Sequence, residues 1–250
     1  MRNLKITLAY DGSDYSGWQV QPDRETIQGT LAAAIERVTG STVLPQASGR
    51  TDAGVHALAQ VASCQINSGV PTANLQRALN HVLPAAIRVL DAVEVAPGFH
   101  ARKSARAKTY RYRLYRGEIC PPFLSRYVYH FSYPLQEDAM QAAADVILGE
   151  HDFTSFAAVD PERGHDEEGV SNIRTVYSSE WRPEGEEFVY TVRGSGFLHH
   201  MVRNLVGTFL LIGKGSIQRE GLKRILELRD RSLAGPTAPA LGLYLVNVEY

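Results

Sequence analysis

The chain has 250 residues, of which 44% are hydrophobic and 21% are charged, and its net charge at pH 7 is −1. These values are ordinary for a globular protein and exclude a largely disordered chain. Two distant cysteines, Cys64 and Cys120, exclude a disulfide framework and a CxxC motif. The N-terminal segment lacks the apolar run of a signal peptide, and the apolar segment 205–212 is too short to cross a bilayer. Composition therefore predicts a soluble, cytoplasmic protein with no membrane partner.

Hydrophobic periodicity predicts a β-α-β-β-α-β order in the first hundred residues. Apolar positions alternate from Leu4 to Tyr10, as in a half-buried strand. They recur at helical spacing in 27–38, with Thr26 as the expected N-cap and Gly40 as the expected stop. The remaining predicted elements are a short strand at 43–44, a strand at 58–66, a helix between Pro71 and Pro84, and a strand at 87–95.

The second half is predicted to repeat this order. Tyr110, Tyr112 and Leu114 alternate with arginines, which indicates a strand. The other predicted elements are a helix at 135–148 that stops at Gly149, strands at 172–182 and 186–194, helices at 201–212 and 222–228, and an apolar strand at 241–250.

Two such passes predict the α+β class, with two ferredoxin-like βαββαβ halves and largely antiparallel sheets. The predicted domains are 1–100 and 101–250. Because no flexible linker separates the halves, we expect them to form one body around a central cleft.

Asp52 lies in a segment that two glycines bracket, Gly49-Arg50-Thr51-Asp52-Ala53-Gly54. Glycine permits a sharp turn, and the nearby Arg50 favours an ionised carboxylate at Asp52. An ionised carboxylate can act as a nucleophile or as a base. Aspartate is also a common turn residue that bonds nearby backbone amides, and from spacing alone this reading is the more frequent one. The local sequence therefore leaves both interpretations of Asp52 open: a catalytic carboxylate and a turn residue.

The charge of the chain is unevenly distributed. Residues 158–190 carry nine acidic side chains against three arginines, in part within a predicted loop. Residues 101–116 carry seven basic side chains and no acidic one: Arg102, Lys103, Arg106, Lys108, Arg111, Arg113 and Arg116. Tyrosines interleave these cations, and this combination suits phosphate contacts and base stacking. We favour an RNA-binding surface over a plain solvated face, and Arg24, just before the first helix, is a further candidate for a phosphate contact.

His199 and His200 raise the question of a metal site. Adjacent residues on a helix point about 100° apart, so this pair is poorly placed to hold one ion. His199 and Arg203 are four residues apart and would share a helix face. No P-loop and no GxGxxG motif is present in the sequence. We therefore predict no metal and no cofactor, and so no small-molecule cofactor among the partners.

Several motifs in the chain resemble those of the tRNA pseudouridine synthase A family, in family order and over essentially the whole length. The signature is Gly49-Arg50-Thr51-Asp52-Ala53-Gly54-Val55-His56-Ala57. The others are Gly12-Ser13-Asp14-Tyr15-Ser16-Gly17-Trp18-Gln19, Phe99-His100-Ala101-Arg102, Tyr110-Arg111-Tyr112, Asp152-Phe153-Thr154-Ser155-Phe156, Phe197-Leu198-His199-His200-Met201-Val202-Arg203-Asn204 and Gly242-Leu243-Tyr244-Leu245. The full set is far more specific than any single motif.

The resemblance implies a role for five residues. Asp52 is implied as the catalytic residue, with Arg50 holding either this carboxylate or the target nucleotide. Tyr110 is implied to stack on the target base, and Arg203 to form a salt bridge with the catalytic carboxylate. Leu243 is implied to line the uracil pocket. The resemblance thus reverses the local preference for a simple turn aspartate.

The resemblance also implies the reaction and the partners. The expected enzyme is an isomerase that converts uridine to pseudouridine at tRNA positions 38, 39 and 40, as a homodimer without metal or cofactor. Asp52 could attack C1′, add to the uracil ring or remove the 2′ proton, and the sequence does not choose among these. Three alternatives stay open: a catalytically silent RNA-binding protein, a carboxylate-dependent nuclease, and a synthase with another target position.

Overall fold

The computed structural model describes residues 1–159 and 171–250. These residues divide into two compact units: unit 1 is Met1–Lys108 with Tyr244–Tyr250, and unit 2 is Thr109–Leu243. α-Helices and mostly antiparallel strands make up both units, which confirms the α+β class. Within the described part of the chain, no helix combines the length and the apolar character needed to cross a membrane.

Unit 1 has the strand order of a ferredoxin-like half. Its elements are β1 (Arg2–Tyr10), α1 (Ile27–Thr39), β2 (Gln46–Ala47), β3 (His56–Ile66), α2 (Thr72–Val82) and β4 (Ile87–Val95). β1 lies between β4 and β3 and is antiparallel to both. β2 pairs with β3 opposite Ala62 and Ser63, and β1 pairs with the same two residues. β2 therefore occupies the other edge of β3, and the order is β4-β1-β3-β2.

The last strand of the chain shares that edge of β3. This strand, β10 (Leu243–Glu249), runs parallel to β3, with Tyr244 opposite His56 and Leu245 opposite Ala57. β10 therefore reaches β3 immediately after the segment that carries Asp52.

Helix α1 follows the sequence prediction at both ends. The Thr26 hydroxyl accepts a hydrogen bond from the Gly29 backbone N–H at 3.3 Å, so Thr26 is the N-cap. Gly40 ends the helix in the left-handed conformation, with a φ of 69°. Ile27, Leu31 and Ile35 are buried on one face, as the helical spacing predicts.

Unit 2 contains a second mixed set of elements. These are β5 (Ala107–Tyr115, which begins in unit 1), β6 (Tyr129–His130), α3 (Glu137–Ala144), β7 (Gly149–Asp152), β8 (Ile173–Glu184), β9 (Glu187–Gly194), α4 (Met201–Gly213) and α5 (Arg219–Leu228). The strand order is β5-β9-β8-β7, with β6 parallel to β5. β8 and β9 correspond to the strands predicted at 172–182 and 186–194, and they pair as an antiparallel hairpin. β6 and β7 are strands that periodicity did not predict.

Two predicted elements were wrong in their bounds. No strand covers 43–44: Leu44 is half exposed, and the pairing with β3 begins two residues later, at Gln46. Helix α3 ends at Ala144 and continues as a 3-10 turn, Asp145–Ile147, so the predicted helix at 135–148 is too long. Gly149 does not stop a helix but begins β7, which pairs with β8. The acidic segment 160–170 of the predicted loop lies outside the described residues.

At Gly207, the backbone of helix α4 packs directly against the backbone of the loop at 234–239. A Cβ at Gly207 would overlap the Pro236 carbonyl oxygen, and one at Gly235 would lie 2.5 Å from the Gly207 carbonyl carbon. The same contact is reinforced by the Gly235 N–H, which donates to the Thr208 hydroxyl at 2.8 Å.

Gly207→Ala is therefore expected to destabilise the protein, although alanine is the better helix former by about 1 kcal/mol. Overpacking at such a contact costs about 3 kcal/mol, and this exceeds the helix-propensity gain. The thermal unfolding midpoint should fall by several degrees. Gly69→Ala is the control, because a Cβ at Gly69 meets no described atom within 4 Å. Equal unfolding midpoints for the two variants would contradict the packing argument.

Candidate active site

Asp52 lies in the segment that connects β2 to β3, which we call the 48–55 turn. The Val55 N–H donates to the Asp52 carbonyl oxygen at 3.1 Å, and Gly54 has a φ of 78°. This left-handed position requires glycine, which explains the second glycine of the signature. The Asp52 side chain is partly exposed, whereas the preceding Thr51 is buried. The segment thus forms the predicted sharp turn and presents the carboxylate close to the start of β3.

The loop at 12–18 lies directly against the 48–55 turn. A Cβ at Gly12 would overlap the Val55 carbonyl oxygen, and a Cβ at Gly17 would lie 2.7 Å from the Thr51 carbonyl oxygen. The Trp18 N–H donates to that Thr51 oxygen at 2.9 Å, and the Trp18 ring is buried. Both glycines of the loop are therefore needed for close backbone contact with the turn. The sequence did not predict this contact between the loop at 12–18 and the 48–55 turn.

His56 anchors the end of the turn and was not singled out in the sequence. Its side chain is buried, and its Nδ1 accepts a hydrogen bond from the Gly12 N–H at 3.2 Å. The His56 ring stacks on the Tyr244 ring at 4.8 Å between centroids. His56 therefore joins the loop at 12–18, the start of β3 and the start of β10. The position of His56 within the signature segment was the sequence signal that could have identified it.

The basic residues of unit 1 that were predicted as site residues fall into two groups. Lys108 turns toward the protein: its Nζ donates to the Ser48 carbonyl oxygen at 2.5 Å, and it would lie 2.8 Å from a Cβ at Gly49. The other group is exposed to solvent and comprises Arg24, Arg50, Arg102, Lys103 and Arg106. Lys108 thus contacts the 48–55 turn in the structure, and its contact with RNA stays a prediction.

Tyr110 lies on β5 in unit 2, with most of its surface covered. Its ring meets the edge of the Phe197 ring at 5.1 Å and 81°. Tyr112, two residues along the same face, is fully buried, and its hydroxyl donates to the Pro239 carbonyl oxygen at 2.8 Å. Burial raises the pKa of Tyr112 well above its usual value, so this hydroxyl stays protonated. β5 thus presents Tyr110 beside a second family motif, the one that contains Phe197.

Arg203 and Leu243 lie near this face of β5. The Arg203 Nε donates to the Ala238 carbonyl oxygen at 2.8 Å, and the Ala238 N–H donates back to the Arg203 carbonyl oxygen at 3.1 Å. Gly242 lies so close to Tyr112 that a Cβ there would be 2.9 Å from the ring. Leu243 follows directly and is buried. Unit 2 thereby brings the motifs of Tyr110, Arg203 and Leu243 into one neighbourhood, and unit 1 holds Asp52 and Arg50 in one turn.

The two histidines differ from their predicted geometry. α4 begins at Met201, so both precede the helix, and His200 has a φ of 59° at its N-cap. Their rings lie 4.0 Å apart, and the His199 Nδ1 is 3.0 Å from the Val159 carbonyl oxygen. The helical argument against a shared ion was wrong, as was the common helix face for His199 and Arg203. The expectation that no metal binds stays a prediction.

The arginines of β5 have acidic neighbours from the β8–β9 hairpin. Arg113 pairs with both carboxylate oxygens of Glu187, at 2.7 Å from Nε and 2.5 Å from Nη2. Arg111 lies 3.5 Å from Glu184, where both side chains are more exposed. The basic run at 101–116 is therefore partly neutralised by acids more than 70 residues away in sequence. RNA contacts by Arg111 and Arg113 stay a prediction.

Comparison with known proteins identifies the family. The sequence model of a family described as tRNA pseudouridine synthase matches residues 6–102 and 143–250. A tRNA pseudouridine synthase A of Solibacter usitatus is 52% identical over 250 residues, covering 100% of both chains. Proteins of the same name from Moorella thermoacetica and Caldicellulosiruptor bescii are 48% and 44% identical, covering 99% and 100% of both chains. The chain therefore belongs to the tRNA pseudouridine synthase family, isomerases of uridine in tRNA, as its motifs predicted.

Proposed function

We propose that this protein isomerises uridine to pseudouridine at positions 38, 39 and 40 of tRNA, with Asp52 as the catalytic nucleophile. The observation that carries the proposal is full-length similarity to proteins named tRNA pseudouridine synthase A, together with the signature around Asp52. One enzyme that serves three adjacent positions must recognise the shape of the anticodon arm more than its sequence.

The reaction explains what the Asp52 carboxylate is required to do. The C1′–N1 bond of uridine breaks, the freed uracil turns, and C1′ joins C5. The hydrogen on C5 leaves as a proton and N1 gains one, so the product is an isomer. No electrons and no external group enter, and a carboxylate nucleophile supplies the chemistry without metal or cofactor. The partly exposed Asp52 side chain, on a turn fixed by the loop at 12–18, suits this role.

The target base must leave its stack before a protein carboxylate can reach the sugar. Tyr110 provides an aromatic surface for the extruded base, and the edge contact from Phe197 holds this ring in place. Arg50 and Arg203 supply positive charge for the carboxylate or for the nucleotide, and Leu243 lines the uracil pocket. Arg203 is suited to a fixed position, because the loop residue Ala238 binds both its side chain and its backbone.

Phosphate contacts are assigned to basic residues of the chain. Arg24, Arg102, Lys103 and Arg106 are exposed to solvent, so their charged groups are accessible to the phosphates of the RNA backbone. Lys108, Arg111 and Arg113 are also proposed to contact RNA phosphates, and the hydrogen bond and ion pairs that they make in the structure would compete with RNA. We also propose that the protein acts in the cytoplasm as a homodimer.

The test uses tRNA labelled with tritium at uracil C5. Purified protein is expected to release tritium to water and to leave the RNA intact in the presence of magnesium. Binding without release would instead identify a silent RNA-binding protein. Chain cleavage in magnesium would identify a nuclease, and either result would overturn the proposal.

A further inference from the structure

A chain of buried side-chain hydrogen bonds lies beneath the 48–55 turn. It begins at Gln60, a fully buried residue of β3. The Gln60 Oε1 accepts a hydrogen bond from the Ser48 hydroxyl at 2.7 Å and another from the Val61 backbone N–H at 3.1 Å. The Gln60 Nε2 donates to the Gly49 carbonyl oxygen at 2.9 Å and to the Tyr10 hydroxyl at 3.3 Å. The Gln60 carboxamide therefore accepts two hydrogen bonds through its oxygen and donates two through its nitrogen. All of its hydrogen-bonding positions are occupied, so its orientation is fixed.

The chain continues from Tyr10 to Thr51. The two hydroxyl oxygens lie 2.8 Å apart, and both side chains are buried. Because the Tyr10 oxygen accepts from Gln60, its own hydrogen is available for the Thr51 oxygen. Burial raises the pKa of Tyr10 to about 12, so this hydrogen is present at neutral pH. With Tyr10 as the donor to Thr51, the bonds run in one direction, from Gln60 through Tyr10 to Thr51.

Thr51 is held from two sides, immediately before the carboxylate. Its side chain meets Tyr10, and its carbonyl oxygen accepts from the Trp18 N–H at 2.9 Å. Two anchors on one residue restrict its backbone rotation and so set the direction in which Asp52 leaves the buried segment. Valine would fill the same volume without a hydroxyl, so packing alone does not account for the polar chain.

We propose that Thr51 is a positioning residue, whose hydroxyl, held by Tyr10 and Gln60, orients the Asp52 carboxylate for its attack. This inference rests on the proposed function. A small misplacement of a reacting group slows a reaction far more than it weakens binding, because binding energy is spread over many contacts. Loss of the hydroxyl should therefore lower the rate of the chemical step and leave tRNA affinity nearly unchanged.

The test compares Thr51→Val, which removes the hydroxyl and keeps the shape, with Thr51→Ser, which keeps the hydroxyl. Single-turnover tritium release is measured at saturating enzyme, so that an unfolded fraction does not alter the rate constant. Thr51→Val is expected to be about tenfold slower, with a Kd for tRNA within about twofold of the parent. Thr51→Ser should stay within about threefold of the parent rate.

Tyr10→Phe provides a second, independent variant. It removes the hydroxyl between Gln60 and Thr51 and should slow the reaction by about as much as Thr51→Val. The double variant should be no slower than the slower single variant, because both changes break one chain. Thr30→Val is the control: its hydroxyl bonds the Thr26 carbonyl oxygen within α1, apart from this chain, and its removal should not alter the rate.

Three results would overturn the inference: a parent-like rate for Thr51→Val, equal losses for Thr51→Val and Thr51→Ser, or effects that multiply in the double variant. If Thr51→Val does not fold, Tyr10→Phe decides alone, and a parent-like rate overturns the inference. Absence of tritium release by the parent protein would refute the proposed function itself, which separates the two failures.

Discussion

Asp52→Asn is expected to lower the rate of pseudouridine formation by at least about a thousandfold, because the amide is a very poor nucleophile. The substitution keeps the size of the side chain. The turn is also maintained by backbone bonds that asparagine retains, including the Val55 N–H to the Asp52 carbonyl oxygen. Affinity for tRNA should therefore stay close to that of the parent. Single-turnover tritium release and filter binding of the same labelled tRNA measure the two quantities.

Asp91→Asn is the matched control for this experiment. Asp91 is an exposed acid on β4 of unit 1, outside the motifs around Asp52, so its substitution removes the same charge from the same unit. Its reaction rate should match that of the parent. Substantial turnover by Asp52→Asn, or an equal loss in both variants, would contradict a catalytic role for Asp52.

Tyr110→Ala is expected to lower the rate or the affinity by about 10- to 100-fold, whereas Tyr110→Phe should retain most of both. A base stacked on an aromatic ring gains about 1–3 kcal/mol, and phenylalanine preserves this surface. It also preserves the edge contact with Phe197, which alanine loses. Steady-state kinetics of tritium release over a range of tRNA concentrations separates the two effects.

Tyr110→Ala also removes a largely buried ring, so its stability needs an independent check. The unfolding midpoint of each variant should be measured, and the kinetics run well below the lower one. Tyr112→Ala is a useful comparison, because it deletes a buried ring on the same strand face. Equal kinetic behaviour of Tyr110→Phe and Tyr110→Ala would rule out stacking by this residue.

Where local signals agreed along the chain, the sequence predicted the elements of the fold well. In α1, an apolar stripe, an N-cap at Thr26 and a glycine stop all indicated the same helix. Prediction failed where one backbone angle decided the outcome. His200 adopts a left-handed conformation just before α4, so the histidines do not continue that helix. At 43–44, two apolar residues resembled a strand, but pairing with β3 begins at Gln46.

The candidate site was predictable only in part. The signature identified Asp52 and its turn, and glycine chemistry explained why the turn is sharp. Alternation along β1 indicated that Tyr10 is buried, but not that its hydroxyl meets Thr51, because the two are 41 residues apart. The ion pair of Arg113 with Glu187 spans 74 residues and escaped the charge pattern for the same reason. Contacts between distant segments depend on the sheet register, which periodicity does not provide.

The most direct test of the central claim is to map pseudouridine in tRNA that lacks the modification, after treatment with the purified protein. The proposed function predicts new pseudouridine at positions 38, 39 and 40 wherever uridine occurs there, and none after treatment with Asp52→Asn. No new pseudouridine, or pseudouridine confined to other positions, would contradict the proposed activity, and modification by Asp52→Asn would contradict the role of the carboxylate.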